Sequence, residues 1–278
     1  MRLSYFGVLQ LTVGILFSVN ASAQYYYKEI WNSQQLNKEF AILKSEKIRN
    51  VSVKSFESDG RPSEDFFCEK RIDKNFGQIQ MLSKSNVTGQ SLINSYFNPS
   101  GLIIKTVDST EHSFNQTEYF YDEAGRINMI RTYTKDDADA AGIGETHRYI
   151  YSGDNLVKME REKNNTPFST VTFTNDKGNV MDETEVIKGV PKKYFYYYDE
   201  KNQLTDVVHY NERAKRLLPD YMYEYDQQGQ VTKLITTEEG GSNYFTWLYT
   251  YNDKRLRQSE KCFAKDRRVL GSVEYVYK

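Results

Sequence analysis

The chain has 278 residues, with 37 Lys and Arg against 38 Asp and Glu and only 3 His, for a formal net charge of −1. That balance excludes a nucleic-acid binder working through a basic face, and it excludes a polybasic membrane anchor. Mean hydropathy is −0.72, polar for a folded domain, yet 23 Tyr, 15 Phe and 2 Trp exclude a disordered chain, which lacks such aromatic surface.

Met1-Arg2-Leu3 makes a short positive start, Tyr5 to Val19 is apolar and uncharged, and Ala21-Ser22-Ala23 follows. A small-x-small triplet after a short apolar run predicts a signal peptide over 1–23, cleaved between Ala23 and Gln24. The apolar run falls short of the ~20 residues that span a bilayer, and no second such run follows, so the mature chain is expected to carry no transmembrane segment. No Cys stands at the cleavage site, which disfavours lipoprotein processing. The expected location is periplasmic, secreted or cell-surface associated.

Residues 24–47 read as a helical cap. Leu36, Phe40 and Leu43 fall at helical spacing between Ser33 and Glu46, with Ser33 as the candidate N-cap and the first hairpin as the surface to be covered. The alternative is a disordered mature terminus.

From 48 to 278 one pattern recurs: aromatic, polar, aromatic, Asp or Asn, two free positions, Gly or Asn, polar, aliphatic. The clearest copies are Tyr119 to Ile127, Tyr196 to Leu204 and Tyr223 to Val231. Weaker ones start at Tyr96, Tyr149, Phe173 and Tyr249, and degenerate ones lie near Phe56 and Ile72. Asp or Asn caps its own turn, and Gly or Asn accepts φ > 0 at the fourth turn position, which together make a type I turn with a bulge. The flanks alternate with period two: Tyr194, Tyr196 and Tyr198 face one way, Phe195 and Tyr197 the other. Each repeat is therefore a hairpin, and the fold class is all-β, an antiparallel hairpin-repeat array with a short N-terminal helix. It amounts to a meander of about eighteen strands, expected to be curled, spiral or partly closed, since a flat sheet would leave an aromatic face in water. Cys68 and Cys262, near opposite ends, are expected to stay unpaired in an elongated array. The longer loops, Lys135 to Glu145, Lys163 to Phe168, Asn211 to Asp220 and Glu238 to Asn243, are placed on the rim opposite the tight turns.

The run Tyr121-Asp122-Glu123-Ala124-Gly125-Arg126-Ile127 resembles the YD repeat of RHS-type proteins, and matching repeats extend from about 56 to the end. The chain is also similar to small secreted YD-repeat-like proteins of Bacteroidetes with no assigned activity. The resemblance implies hairpins wound into a spiral shell, and in some relatives contact with glycans. The repeats here are too few to enclose a cargo domain, so only the architecture carries over.

Chemistry candidates are sparse. Turn acids such as Asp122-Glu123 and Asp199-Glu200 are explained by capping. Asp136-Asp137-Ala138-Asp139 fails as a calcium loop where Ala141 and Arg148 stand at ligand positions. His112, His147 and His209 are dispersed, which offers neither a zinc site nor a triad. An outer-membrane barrel is disfavoured, because Lys158, Glu160, Asp206, Lys233 and Glu260 would interrupt a lipid face. Tyr244, Phe245 and Trp247, beside Glu238-Glu239-Gly240-Gly241, are the candidate contact residues. The reading is a non-catalytic exported interaction module of the envelope, with a glycan or an envelope protein as partner and no cofactor or metal. The alternative is a structural subunit pairing through its sheet face or edge; a polysaccharide-cleaving enzyme ranks third.

Overall fold

The computed structural model describes residues 25–86, 88–139, 141–211, 215–237 and 243–278. The expected signal segment 1–23 and its cleavage point lie outside the described residues, as do parts of the expected loops at 212–214 and 238–242. One helix, α1 (Tyr27–Ser45), precedes β1 (Asn50–Glu57), β2 (Phe67–Ile72), β3 (Gln78–Ser85), β4 (Gly89–Phe97), β5 (Ile103–Thr110), β6 (Ser113–Tyr121), β7 (Ile127–Asp136), β8 (Ile143–Ser152) and β9 (Asn155–Lys163). There follow β10 (Thr166–Asp176), β11 (Asn179–Ile187), β12 (Val190–Tyr198), β13 (Leu204–Asn211), β14 (Arg216–Tyr225), β15 (Val231–Thr237), β16 (Tyr244–Tyr251), β17 (Arg257–Phe263) and β18 (Val269–Tyr277).

Every strand pairs antiparallel with its successor, and β18 pairs with β1 through Val51↔Tyr277, Val53↔Tyr275 and Ser55↔Val273. The expectation of a curled, spiral or partly closed sheet, and the spiral shell implied by the YD resemblance, are thus corrected: the sheet is a closed barrel. An even number of strands sets the first and last antiparallel, so they join without a crossover and both unpaired edges disappear. Closure needs no disulfide. Cys68 and Cys262 are buried and free, and β1 and β18 stand between their strands. Three interstrand steps of ~4.8 Å separate them, beyond the ~7 Å reach of a disulfide.

The repeated turn is the one its residues imply. Gly125 N donates to Asp122 O at 3.0 Å, Arg126 N to the Asp122 carboxylate at 2.8 Å, and Gly125 sits at φ +76°. The β6–β7 register slips between Phe120 and Tyr121, the bulge of such a turn. The second Tyr of the motif has a further task. Its hydroxyl reaches the neighbouring strand and donates to a backbone carbonyl beside the previous turn: Tyr121 to Ile103 O (2.7 Å), Tyr151 to Ile127 O (3.0 Å), Tyr198 to Val180 O (2.9 Å) and Tyr225 to Leu204 O (2.6 Å). Tyr251 to Val231 O and Tyr277 to Arg257 O continue the series. Each bond ties one hairpin to the one before it, and each contributes roughly 0.5–1.5 kcal/mol.

These turns form one rim of the barrel, the Tyr–Asp rim. On the opposite rim, one of the expected long loops is not a loop. Lys163 to Phe168 is almost all strand, because Asn164 and Asn165 both adopt positive φ (48° and 60°) and reverse the chain in two residues.

A barrel of this many strands is too wide for its own side chains to fill, and α1 occupies the space. The helix does not cover an edge, since closure leaves none. Along its length it meets strands all round the ring: Tyr25 against Tyr194 and Tyr221, Trp31 against Tyr223, Asn37 bonded to Ile103 N, and Phe40 stacked on Phe97 at 3.7 Å. Glu46 after its C-terminus pairs with Lys254 at 3.2 Å, on the Tyr–Asp rim. The helix starts earlier than Ser33, which lies buried inside it and donates to Ile30 O.

The outer wall is charged. Arg131 faces Glu118, Arg148 Glu162, Lys158 Glu160, Lys193 Asp182 and Lys233 Glu224, at 2.7–3.8 Å. A cation on a lipid face costs ~2–4 kcal/mol at the bilayer midplane, which disfavours a lipid-facing wall. Glu260, expected outside, points inward and accepts from the Tyr275 hydroxyl at 2.5 Å. Among the described residues no helix is long and apolar enough to cross a membrane.

Candidate functional site

Among the described residues, two of the places where polar groups come together inside this frame bear on function. The first is where the N-terminal end of α1 meets β8, β9 and β11. No side chain of the helix's own caps it. Instead the Glu183 carboxylate, on β11, accepts from Tyr26 N at 2.8 Å and Tyr27 N at 2.9 Å, the orphan donors of the first turn. Beside it the His147 ring lies between Glu29 (Nδ1, 2.8 Å) and Glu145 (Nε2, 3.4 Å). Arg161 pairs with Glu145 at 2.9 Å and donates to the Tyr26 hydroxyl, which donates in turn to Glu185. Glu185 also accepts from Ser169.

Burial governs the charges here. Desolvation pushes the Glu183 carboxyl up to about 7 against the pull of the helix amides. Desolvation also opposes charge on His147, but the two flanking carboxylates outweigh it and raise the imidazole to about 9, so it is a cation at neutral pH. Glu145 is brought down to about 2, because the bonds from His147 and Arg161 overcome its burial. Four carboxylates converge, as a hydrolase would need, but each is committed to protein partners. The cluster clamps the helix to the wall.

The second place is a cavity of about 260 Å³ on the Tyr–Asp rim. One face of α1, carrying Tyr27, Ile30, Gln34 and Asn37 at i, i+3, i+7 and i+10, forms its floor. Its wall is the turn ends of the hairpins β6–β7, β8–β9 and β10–β11. Arg126 stands at the mouth, bonded to Asp122 (2.8 Å), Gly153 O (2.6 Å) and Asp154 (3.3 Å), with its guanidinium 4.4 Å over the Tyr151 ring. Its charge is therefore already answered.

The expected contact residues are divided between two faces. Trp247 is in register with buried Cys262 and with Leu234, so Trp247 and Phe245 face the lumen, and Tyr244 faces outward. None lines the cavity. Of the histidines, His112 and His209 each pair with an aspartate, Asp137 and Asp220, at 2.7 Å. In the acidic loop, Asp136 and Asp139 cap the turn by accepting from nearby backbone amides. Among the described residues no group of His, Cys, Asp and Glu is arranged to hold a metal.

No protein-family model matches the chain, and no curated protein matches it. Solved structures align with it at low scores. A porin-like protein from Bacteroides uniformis aligns with a TM-score of 0.42 at 10% identity, over 83% of this chain and 96% of that one. A porin-like protein from Bacteroides vulgatus gives 0.28 at 11% identity, over 83% and 98%. The Photorhabdus luminescens Tc holotoxin pore gives 0.31 at 10% identity, over 77% of this chain and 16% of that one. Scores of this size assign no function to this chain.

Proposed function

We propose that this is an exported, non-catalytic binding module of the cell envelope, with a glycan or an envelope protein as ligand. The observation that carries it is the open cavity between α1 and the hairpin ends, set against buried carboxylates that are all occupied by protein partners. The signal-peptide pattern at 1–23 supports export, and the charged outer wall supports work in water. Assembly through a sheet edge is disfavoured, because the closed ring has no edge to pair.

The experiment is retention of the mature chain, from Gln24, on bacterial and host glycans and on crosslinked envelope proteins, with product analysis of every retained glycan. Selective retention without cleavage is the expected result. Cleavage of a retained glycan would overturn the non-catalytic reading, and retention of nothing would overturn the binding reading. Trp247→Ala in the same experiment tests the expected role of the lumen aromatics; unchanged retention removes them.

A further inference from the structure

The repeat departs from its tyrosine at Ile72, Phe97 and Asn175, and the cavity lies at the one polar departure. Five hairpin junctions place a Tyr before the turn whose hydroxyl bonds the neighbouring strand, and Tyr277 at the end of β18 makes the same bond. On β10 the same position is Asn175, in Phe173-Thr174-Asn175-Asp176. Its amide makes the equivalent bond, to Leu156 O at 2.7 Å, so the stitch survives. The ring does not. The space a tyrosine would occupy between the Tyr151 and Tyr198 junctions is left empty and opens onto the helix face, and Asn175 lines the cavity.

We infer that this gap is a binding pocket for an uncharged sugar of one or two rings, an inference that rests on the binding-module reading. Three features select that class. Arg126, the pocket's cation, is held by Asp122 and Asp154, so nothing free remains for a phosphate or carboxylate. The polar lining includes amides with groups to spare. Gln34, exposed on the helix, offers both an amide NH₂ and a carbonyl oxygen, while Asn175 spends its NH₂ on Leu156 O and keeps its carbonyl oxygen. Donor and acceptor on facing walls suit hydroxyls, which do both. Apolar surface from Ile30 and Tyr27 lies between them for the faces of a sugar ring. The volume, about 260 Å³, is just under the ~300–1,000 Å³ of drug-sized pockets.

The test is calorimetric titration of the mature chain with neutral mono- and disaccharides and with the matching uronic acids, in three variants beside the wild type. Asn175→Tyr restores the repeat and fills the pocket, and Tyr151 shows that a tyrosine fits such a junction. Thr172→Tyr adds a ring to the outer face of the same strand. Gln34→Ala alters the exposed helix lining, and it carries the test if Asn175→Tyr does not fold. A neutral sugar should bind, more than tenfold weaker in Asn175→Tyr, several-fold weaker in Gln34→Ala and unchanged in Thr172→Tyr. Binding as tight in folded Asn175→Tyr as in the wild type would overturn the pocket and leave the binding module standing. Binding of uronic acids alone, or capture of envelope proteins without any sugar, would overturn the ligand class and again leave the module standing. If neither sugars nor proteins are held, the module reading falls with the pocket.

Discussion

The Glu183 carboxylate and the amide of Tyr26, 157 residues apart in sequence, meet at 2.8 Å and fix the start of the plug helix to the barrel wall. A helix N-terminus needs a partner for its free amides and favours negative charge there. A strand supplies it, so the sheet provides the cap that the helix lacks.

The burial of Glu183, working against this bond, predicts how stability varies with pH. Glu183 has a folded value of about 7 against an ordinary 4.5, so its contribution is complete below about 4.5 and is lost as pH rises through 7. His147, at about 9 against 6.5, contributes fully below about 6.5 and loses that contribution as pH rises through 9. Glu145, at about 2, acts in the other direction, losing its contribution as pH falls from 4.5 through 2. Thermal melts should therefore peak near pH 4.5 and decline from there toward pH 9, at most ~1.4 kcal/mol per pH unit for each proton. Glu183→Gln should remove the earlier part of the decline and keep the His147 part. A Gln variant that keeps the full decline would detach the effect from Glu183.

The helix should also be indispensable to the barrel. Phe40 is 1% exposed and stacked on Phe97 with a 4° angle between ring planes. Truncating a buried aromatic costs ~3–5 kcal/mol, so Phe40→Ala should lower the urea midpoint sharply. Lys38→Ala, on the exposed side of the same helix, should stay within ~0.5 kcal/mol. Equal effects would mean that the helix is an appendage.

Hairpins and turns were legible because they are local: Asp122, Gly125 and the alternation of Tyr194, Phe195 and Tyr196 need only their neighbours. Closure was not, since the β1–β18 pairing depends on the strand count and on nothing within either strand. The helix start was missed because Glu183, not a residue near Ser33, satisfies its amides. The division of Tyr244 from Trp247 follows from strand alternation and could have been read. So could the pocket: Asn175 stands out as the polar residue at a position otherwise held by Tyr, Phe97 or Ile72, a signal visible only once the motif's second tyrosine is understood as a stitch.

The two thiols should be inert while the protein is folded. Burial pushes Cys68 up to about 11 and Cys262 up to about 12, which suppresses the thiolate that reacts. A chromogenic disulfide reagent should find two thiols in urea and react far more slowly without it, whether or not the protein has been exposed to oxidant. Loss of both thiols on mild oxidation of the folded protein would show that the strands between them do not hold them apart.

Neighbouring tyrosines on β12 should respond differently to loss of a hydroxyl. Tyr198 donates to Val180 O at 2.9 Å, tying its hairpin to the previous one, while Tyr197 is 44% exposed on the outer face. Tyr198→Phe keeps the ring but leaves a part-buried carbonyl without that bond, so it should cost ~0.5–1.5 kcal/mol. Tyr197→Phe should lie within ~0.5 kcal/mol of the wild type. The same contrast should hold for Tyr225 against an exposed outer-face residue, because Tyr225 makes the equivalent bond to Leu204 O at 2.6 Å. Double substitution of Tyr198 and Tyr225 should add when the stitches act as separate local bonds, and should exceed the sum when they hold the Tyr–Asp rim together as a unit. Chemical denaturation of the four proteins decides between these two, and no cost for either single change would remove the stitch as an explanation of why the repeat retains its second tyrosine.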